Sequence, residues 1–99
     1  MCEVTLEFSG GAETLFNNQK RIKIVLDKQI TWSMKSLLPW ILENLLKDCP
    51  TPELLVFEGS VRPGILVLIN DCDWEIMDGL AAPISNGDVV TFLSTLHGG

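Results

Sequence analysis

The sequence predicts an α+β domain in which a single amphipathic helix lies across one face of a β-sheet. Three observations carry that prediction. The chain opens on apolar–polar alternation, its middle holds one apolar stripe at helical spacing, and its second half carries aliphatic runs separated by turn residues.

Taking the elements in order, Cys2, Val4, Leu6 and Phe8 point one way and Glu3, Thr5 and Glu7 the other, as in a half-buried strand. Gly10 and Gly11 end it by supplying turn positions with positive φ. Ile22, Ile24 and Leu26 alternate with Arg21, Lys23 and Val25 in a second strand, expected to form a hairpin with the first. The connection, residues 9–20, is long for a hairpin loop, so Leu15 and Phe16 are expected to anchor it to the core. Met34, Leu37, Leu38, Ile41, Leu42, Leu45 and Leu46 follow the i, i+3, i+4, i+7 spacing of one helical face. Thr31 or Ser33 suits the N-cap, and Cys49-Pro50 ends the helix. Pro39 lacks an N–H and crowds the preceding turn, so the helix either starts late or kinks there. Trp40 lies off the stripe and is expected to cover a flank.

Pro50, Pro52, Gly59, Pro63 and Gly64 punctuate residues 49–64, predicting an irregular connection pinned by Leu54, Leu55, Val56 and Phe57. The continuous run Ile65–Ile69 reads as a well-buried strand. Asn70-Asp71 begins a turn, Trp74–Met77 reads as a short edge strand, and Asn86-Gly87 marks another turn. Residues 89–93 form the last strand. The chain thus divides into a domain over residues 1–93 and a tail over residues 94–99, with no internal repeat or linker. A compact version of this arrangement is the ubiquitin-like β-grasp.

Ninety-nine residues make one domain, and a hydrophobic fraction of 46% is adequate for its core. Thirteen acidic against seven basic side chains give a net charge of −6, which argues against unaided nucleic-acid binding and suits a basic protein surface. The one basic cluster, Lys20, Arg21, Lys23 and Lys28, reads as the solvated face and ends of a strand. Cys2, Cys49 and Cys72 are odd in number and widely spaced, which argues against a disulfide scaffold or zinc site and favours a reducing compartment. A catalytic cysteine needs a base, and the sole histidine, His97, stands in the tail. No leader opens the chain and no apolar run approaches membrane-spanning length, so a cytoplasmic monomer is expected. No phosphate-binding glycine loop is present. Asp71, Asp73 and Glu75 have calcium-loop spacing, but Ile76 and Ala82 stand where that loop requires Gly and Glu. The acids therefore read as a solvated turn or a charged surface.

The informative feature is the end, Leu96-His97-Gly98-Gly99. Two terminal glycines arise by chance in roughly 0.5% of chains at average glycine usage. Six tail residues reach only about 20 Å at full extension, giving a slender Gly-Gly that fits a deep active site on another protein. An α-carboxylate is ionised at neutral pH and is competent to attack the α-phosphate of ATP. Glycine leaves the resulting acyl carbon open to a persulfide or an amine. On this reading the chain binds no cofactor and performs no catalysis; ATP is consumed by the enzyme that activates Gly99.

The opening strand with Gly10-Gly11-Ala12-Glu13-Thr14-Leu15-Phe16 resembles the ubiquitin-related modifiers that double as sulfur carriers. So do the blocks from Ser60-Val61-Arg62-Pro63-Gly64 through Asn70-Asp71, Asp73-Trp74-Glu75, and Ser94-Thr95-Leu96-His97-Gly98-Gly99. The resemblance spans essentially the whole chain, with Pro39 and Cys72 as local departures. It implies a β-grasp whose mixed sheet sets the first and last strands side by side, with one main helix on one face. It also implies adenylation of Gly99 by an E1-like enzyme whose rhodanese domain delivers sulfur. The thiocarboxylate then serves a tRNA thiolation complex, for 2-thiolation of the wobble uridine of cytosolic tRNA. Covalent attachment to lysines of target proteins is a second implied role. Gly98, His97 and Leu96 would enter the activating enzyme, His97 as guide or as spectator. Two alternatives stand beside this one. The small subunit of molybdopterin synthase uses the same chemistry, though the connection over residues 49–64 and the Ser94–His97 tail favour the modifier. A plain ubiquitin-like interaction module would use Val89, Leu93 and Leu96 as a patch and never be activated.

Overall fold

The computed structural model describes residues 2–95. Its strands are β1 (Cys2–Ser9), β2 (Arg21–Leu26), β3 (Trp32–Ser33), β4 (Val56–Phe57), β5 (Ser60–Val61), β6 (Ile65–Ile69), β7 (Cys72–Asp73), β8 (Pro83–Ile84) and β9 (Val89–Ser94). One α-helix, α1 (Met34–Asn44), follows β3. Five strands form the main sheet in the order β2-β1-β9-β6-β7, while β3 pairs with β8 and β4 with β5. The first and last strands run parallel side by side, with Leu6 opposite Val90 and Phe8 opposite Phe92; the other pairings are antiparallel. This mixed sheet under one helix is the expected β-grasp.

The core lies between the sheet and α1. Alternation places Val4, Leu6, Phe8, Val67, Ile69, Val90 and Phe92 on the covered face, each at most 1% exposed. Met34, Leu37, Leu38 and Ile41 meet them from the helix and are fully buried. Each such side chain contributes roughly 1.5–3 kcal/mol of burial. The ring of Phe8 stacks on Phe16 with centroids 3.8 Å apart and on Phe92 at 5.6 Å. Residues 9–20 thus contain a 3-10 helix, Ala12–Phe16, pinned by Phe16 as expected, with Leu15 half-buried beside it. The basic cluster is exposed along and beside β2, where the Arg21 guanidinium pairs with Glu7.

Several expectations need correction. The helix does not start late: Ser33 is its N-cap, and the Ser36 hydroxyl accepts the Ser33 N–H at 3.0 Å. Pro39 sits inside the helix on its exposed side. The helix ends at Asn44, well before Cys49-Pro50, because the N–H groups of Leu45 and Leu46 both donate to the Ile41 carbonyl and swing the chain off the axis. Leu46 is still buried, so its place in the apolar stripe reported burial, not helix. Residues 49–64 are more ordered than their punctuation indicates. They hold a 3-10 helix, Pro52–Leu54, and the β4–β5 hairpin, turned by Glu58 and Gly59, both at positive φ. Leu55 and Val56 pin it, whereas Leu54 and Phe57 are 42% and 43% exposed. Trp74–Met77 is a 3-10 helix, not an edge strand; Asp73 starts it by accepting the Glu75 N–H at 2.9 Å. β6 is buried on one face only, because among the described residues no second layer covers the sheet, and Leu66 stays 36% exposed.

Candidate functional site

The sequence placed the working chemistry at the end of the chain, so the relevant geometry is the base from which that end departs. β9 enters the sheet under tight side-chain control. The Asn70 amide oxygen accepts the Val89 N–H at 2.9 Å and its NH2 donates to Asp88 Oδ1 at 3.0 Å, while Asp88 Oδ2 accepts the Ser85 N–H at 2.7 Å. On the neighbouring strand, the Glu3 N–H donates to Asn86 Oδ1 at 2.8 Å, and the Glu3 carbonyl accepts from Gly87 at 2.7 Å. The Asn70-Asp71 and Asn86-Gly87 turns expected from sequence are the sources of these groups. Asn70 and Asp71 adopt φ of 52° and 66°, so Asp71 serves a turn and Asp73 a helix start. Among the described residues no group of three or more His, Cys, Asp or Glu side chains gathers as a metal site. Cys2, Cys49 and Cys72 are free thiols, buried, half-buried and exposed in turn.

At its other end β9 runs through Ser94, one residue beyond the expected limit, with Ser94 opposite Ile65. Thr95 then donates its N–H to the Gly64 carbonyl at 3.0 Å, and its hydroxyl donates to the same oxygen. Gly10 lies against this exit at φ +68°, and a Cβ there would overlap the Ser94 carbonyl oxygen and stand 2.8 Å from Leu93 Cδ1. Gly10 is therefore more than a turn former: its missing side chain is the space the departing strand occupies.

Beside the exit is an open cleft of about 270 Å³, lined by Gly11, Ala12, Thr14, Leu15, Leu54, Arg62, Ile65 and Ser94. Arg62 also lines a second cleft of about 240 Å³ with Phe57 and Pro63. The Arg62 main-chain N–H is committed to the Leu55 carbonyl at 2.8 Å. Its guanidinium has no hydrogen bond or ion pair among the described residues. The sequence marked Ser60-Val61-Arg62-Pro63-Gly64 only as a block of resemblance, not Arg62 or Gly64 for the site. The available signal was Pro-Gly directly before an aliphatic strand. Leu96, His97, Gly98 and Gly99, the predicted site residues, lie outside the described residues. Of the patch Val89, Leu93 and Leu96, the first two are half-buried on the uncovered sheet face.

The family model described as Urm1 (Ubiquitin related modifier) matches residues 3–99, from β1 through both glycines. The chain belongs to the ubiquitin-related modifier family. It is 50% identical to the Chlamydomonas reinhardtii ubiquitin-related modifier 1 homolog over 103 residues, covering 100% of both chains. Human ubiquitin-related modifier 1 is 50% identical over 97 residues, which cover 97% of this chain and 94% of that one. The solution structure of Urm1 from Trypanosoma brucei superposes with a TM-score of 0.77 at 37% identity, over 98% of this chain and 95% of that one. This family is a ubiquitin-like one, and the β1–β9 parallel pair with α1 across the sheet is its expected frame.

Proposed function

We propose that this chain is a sulfur carrier and protein modifier whose reacting group is the carboxylate of Gly99, acted on by other enzymes in the cytoplasm. The observation that carries the reading is the family match running through Gly99, five residues beyond the end of β9. Gly99 lies four residues past Thr95, a stretch that spans at most about 14 Å at full extension. The family match also weighs against the molybdopterin synthase alternative.

In the proposed sequence an E1-like enzyme binds ATP and presents its α-phosphorus to the Gly99 carboxylate. Pyrophosphate leaves and an acyl-adenylate forms. A persulfide on a rhodanese-type domain attacks the acyl carbon and AMP leaves. Cleavage of the S–S bond by a second thiol releases the Gly99 thiocarboxylate and leaves an enzyme disulfide. The thiocarboxylate supplies sulfur for thiolation of the tRNA wobble uridine, while attack of a lysine amine on the acyl-adenylate, with AMP leaving, instead gives an amide to a target protein. The absent Cβ at Gly99 leaves the acyl carbon open to either nucleophile. A net charge of −6 supports leaving the holding of tRNA to the thiolating enzyme complex.

The test is intact mass after incubation with ATP, a sulfur donor and the E1-like enzyme. The expected result is a gain equal to one oxygen-for-sulfur exchange, localised to Gly99. Deleting Gly99 should abolish the gain while moving the thermal midpoint by no more than about 1 °C. No gain with a demonstrably active enzyme, or thiolation supported by the chain lacking Gly99, would overturn the proposal.

A further inference from the structure

Three of the six large hydrophobic side chains left exposed among the described residues, Leu54, Phe57 and Leu66, fall within one stretch of thirteen residues that ends beside the Thr95 exit. Arg62 sits in the middle of that stretch and is the only Lys or Arg between residues 48 and 99. It lines the cleft at the exit and a second cleft with Phe57 and Pro63, and its guanidinium has no partner among the described residues. A half-buried, unpaired cation between two apolar clefts is an unused recognition group: its five donors and planar fork match a carboxylate, and the surrounding low-polarity walls strengthen such a pair.

The position limits which partner arrives there. Four residues separate Thr95 from Gly99, about 14 Å when extended. Any enzyme that closes on the Gly99 carboxylate must therefore lay its surface against the base of the tail, where the Ser94-lined cleft opens. We infer that Arg62, with Leu54 and Phe57 on either side, is the docking anchor for the enzyme that activates Gly99. The matching surface on that enzyme is a carboxylate flanked by apolar side chains. This rests on the proposed activation of Gly99 and adds the surface that selects the enzyme. The other six Lys and Arg all lie before residue 48, so within the second half of the chain Arg62 is the one side chain that draws an acidic loop of the enzyme.

The experiment uses the full chain, ATP, a sulfur donor and the E1-like enzyme, and follows thiocarboxylate formation against carrier concentration and salt. Arg62→Glu is expected to raise KM for the carrier about tenfold or more, with kcat within about twofold and an unchanged thermal midpoint. Arg62→Lys, which keeps the charge without the fork, is expected to fall between the two. The wild-type KM should rise with ionic strength, and that of Arg62→Glu should not. A KM for Arg62→Glu within about twofold of wild type, with Gly99 still converted, overturns the docking inference and leaves the carrier reading standing. Self-association of the wild type that Arg62→Glu abolishes, at unchanged KM, reassigns the clefts to a second copy and also overturns it. No conversion of the wild type by an enzyme proven active removes both proposals together.

Discussion

The two ends of β9 are one strand apart in sequence and opposite in construction. At Val89 the strand is gripped by added polar side chains: Asn70, Asn86 and Asp88 hold main-chain N–H groups or one another at 2.7–3.0 Å. At Ser94 the decisive feature is a side chain that is missing. Gly10 opens space for the Ser94 carbonyl, and the Gly64 carbonyl takes both donors of Thr95. The first end has to fix register, because a one-residue slip would turn Val90 and Phe92 out of the core. The second has to let the main chain at Ser94 and Thr95 pass the neighbouring turn without a clash. One strand thus serves as a clamp at its start and as a spout at its end.

Gly10→Ala should break the spout with the largest effect. It introduces a Cβ into the Ser94 carbonyl and forces an alanine to φ +68°, a combination costing about 2–4 kcal/mol. The thermal midpoint should fall by roughly 10–25 °C. Gly59→Ala is the control: its φ is +79° but nothing lies within 4 Å, so only the backbone penalty of about 1 kcal/mol remains. If denaturant titrations give equal losses for the two variants, close approach at Gly10 is not what shapes the exit.

Asn70→Ala tests the clamp and should cost somewhat less, about 2 kcal/mol. It removes the acceptor for Val89 N–H and the donor to Asp88, and it places alanine at φ 52°. Asn70→Gly relieves the backbone part and should recover about half of the loss. Amide exchange at Val89 and Val90 should quicken in both variants while that at Ser94 changes less. A loss below about 0.5 kcal/mol for Asn70→Ala would show that the turn, not the side chain, holds this end.

Much of the frame was legible in the sequence because it rests on local periodicity. The period of two in Cys2 to Phe8 and the apolar stripe beginning at Met34 identify β1 and α1 directly. Periodicity failed where burial and helix part company, as at Leu46, and where elements are too short to show a period, as in β4, β5, β7 and β8. Trp74–Met77 misled for the same reason, since apolar residues in a single 3-10 turn look like a short strand. The diglycine was plain to read. Its base was not, because residues 10–15, 54–65 and 94–95 meet only once the parallel β1–β9 pair and the antiparallel β6–β9 pair have formed, both of them contacts between strands distant in sequence. A guanidinium without a partner among the described residues is likewise invisible until the fold shows which carboxylates lie away from it.

The smallest expected effect belongs to Thr95→Val, and it sharpens the comparison most. The substitution removes the hydroxyl bond to Gly64 while leaving the Thr95 N–H on the same oxygen at 3.0 Å. Thr95 is exposed, so the stability cost should stay below about 0.5 kcal/mol, or roughly 4 °C in midpoint. If the main-chain bond alone aims the exit, Gly99 activation should remain within about threefold of wild type by intact-mass kinetics. A tenfold or greater loss of activation at unchanged midpoint would mean that the hydroxyl sets the direction in which the chain leaves. The spout would then be steered by a side chain after all, and its difference from the clamp would be one of degree.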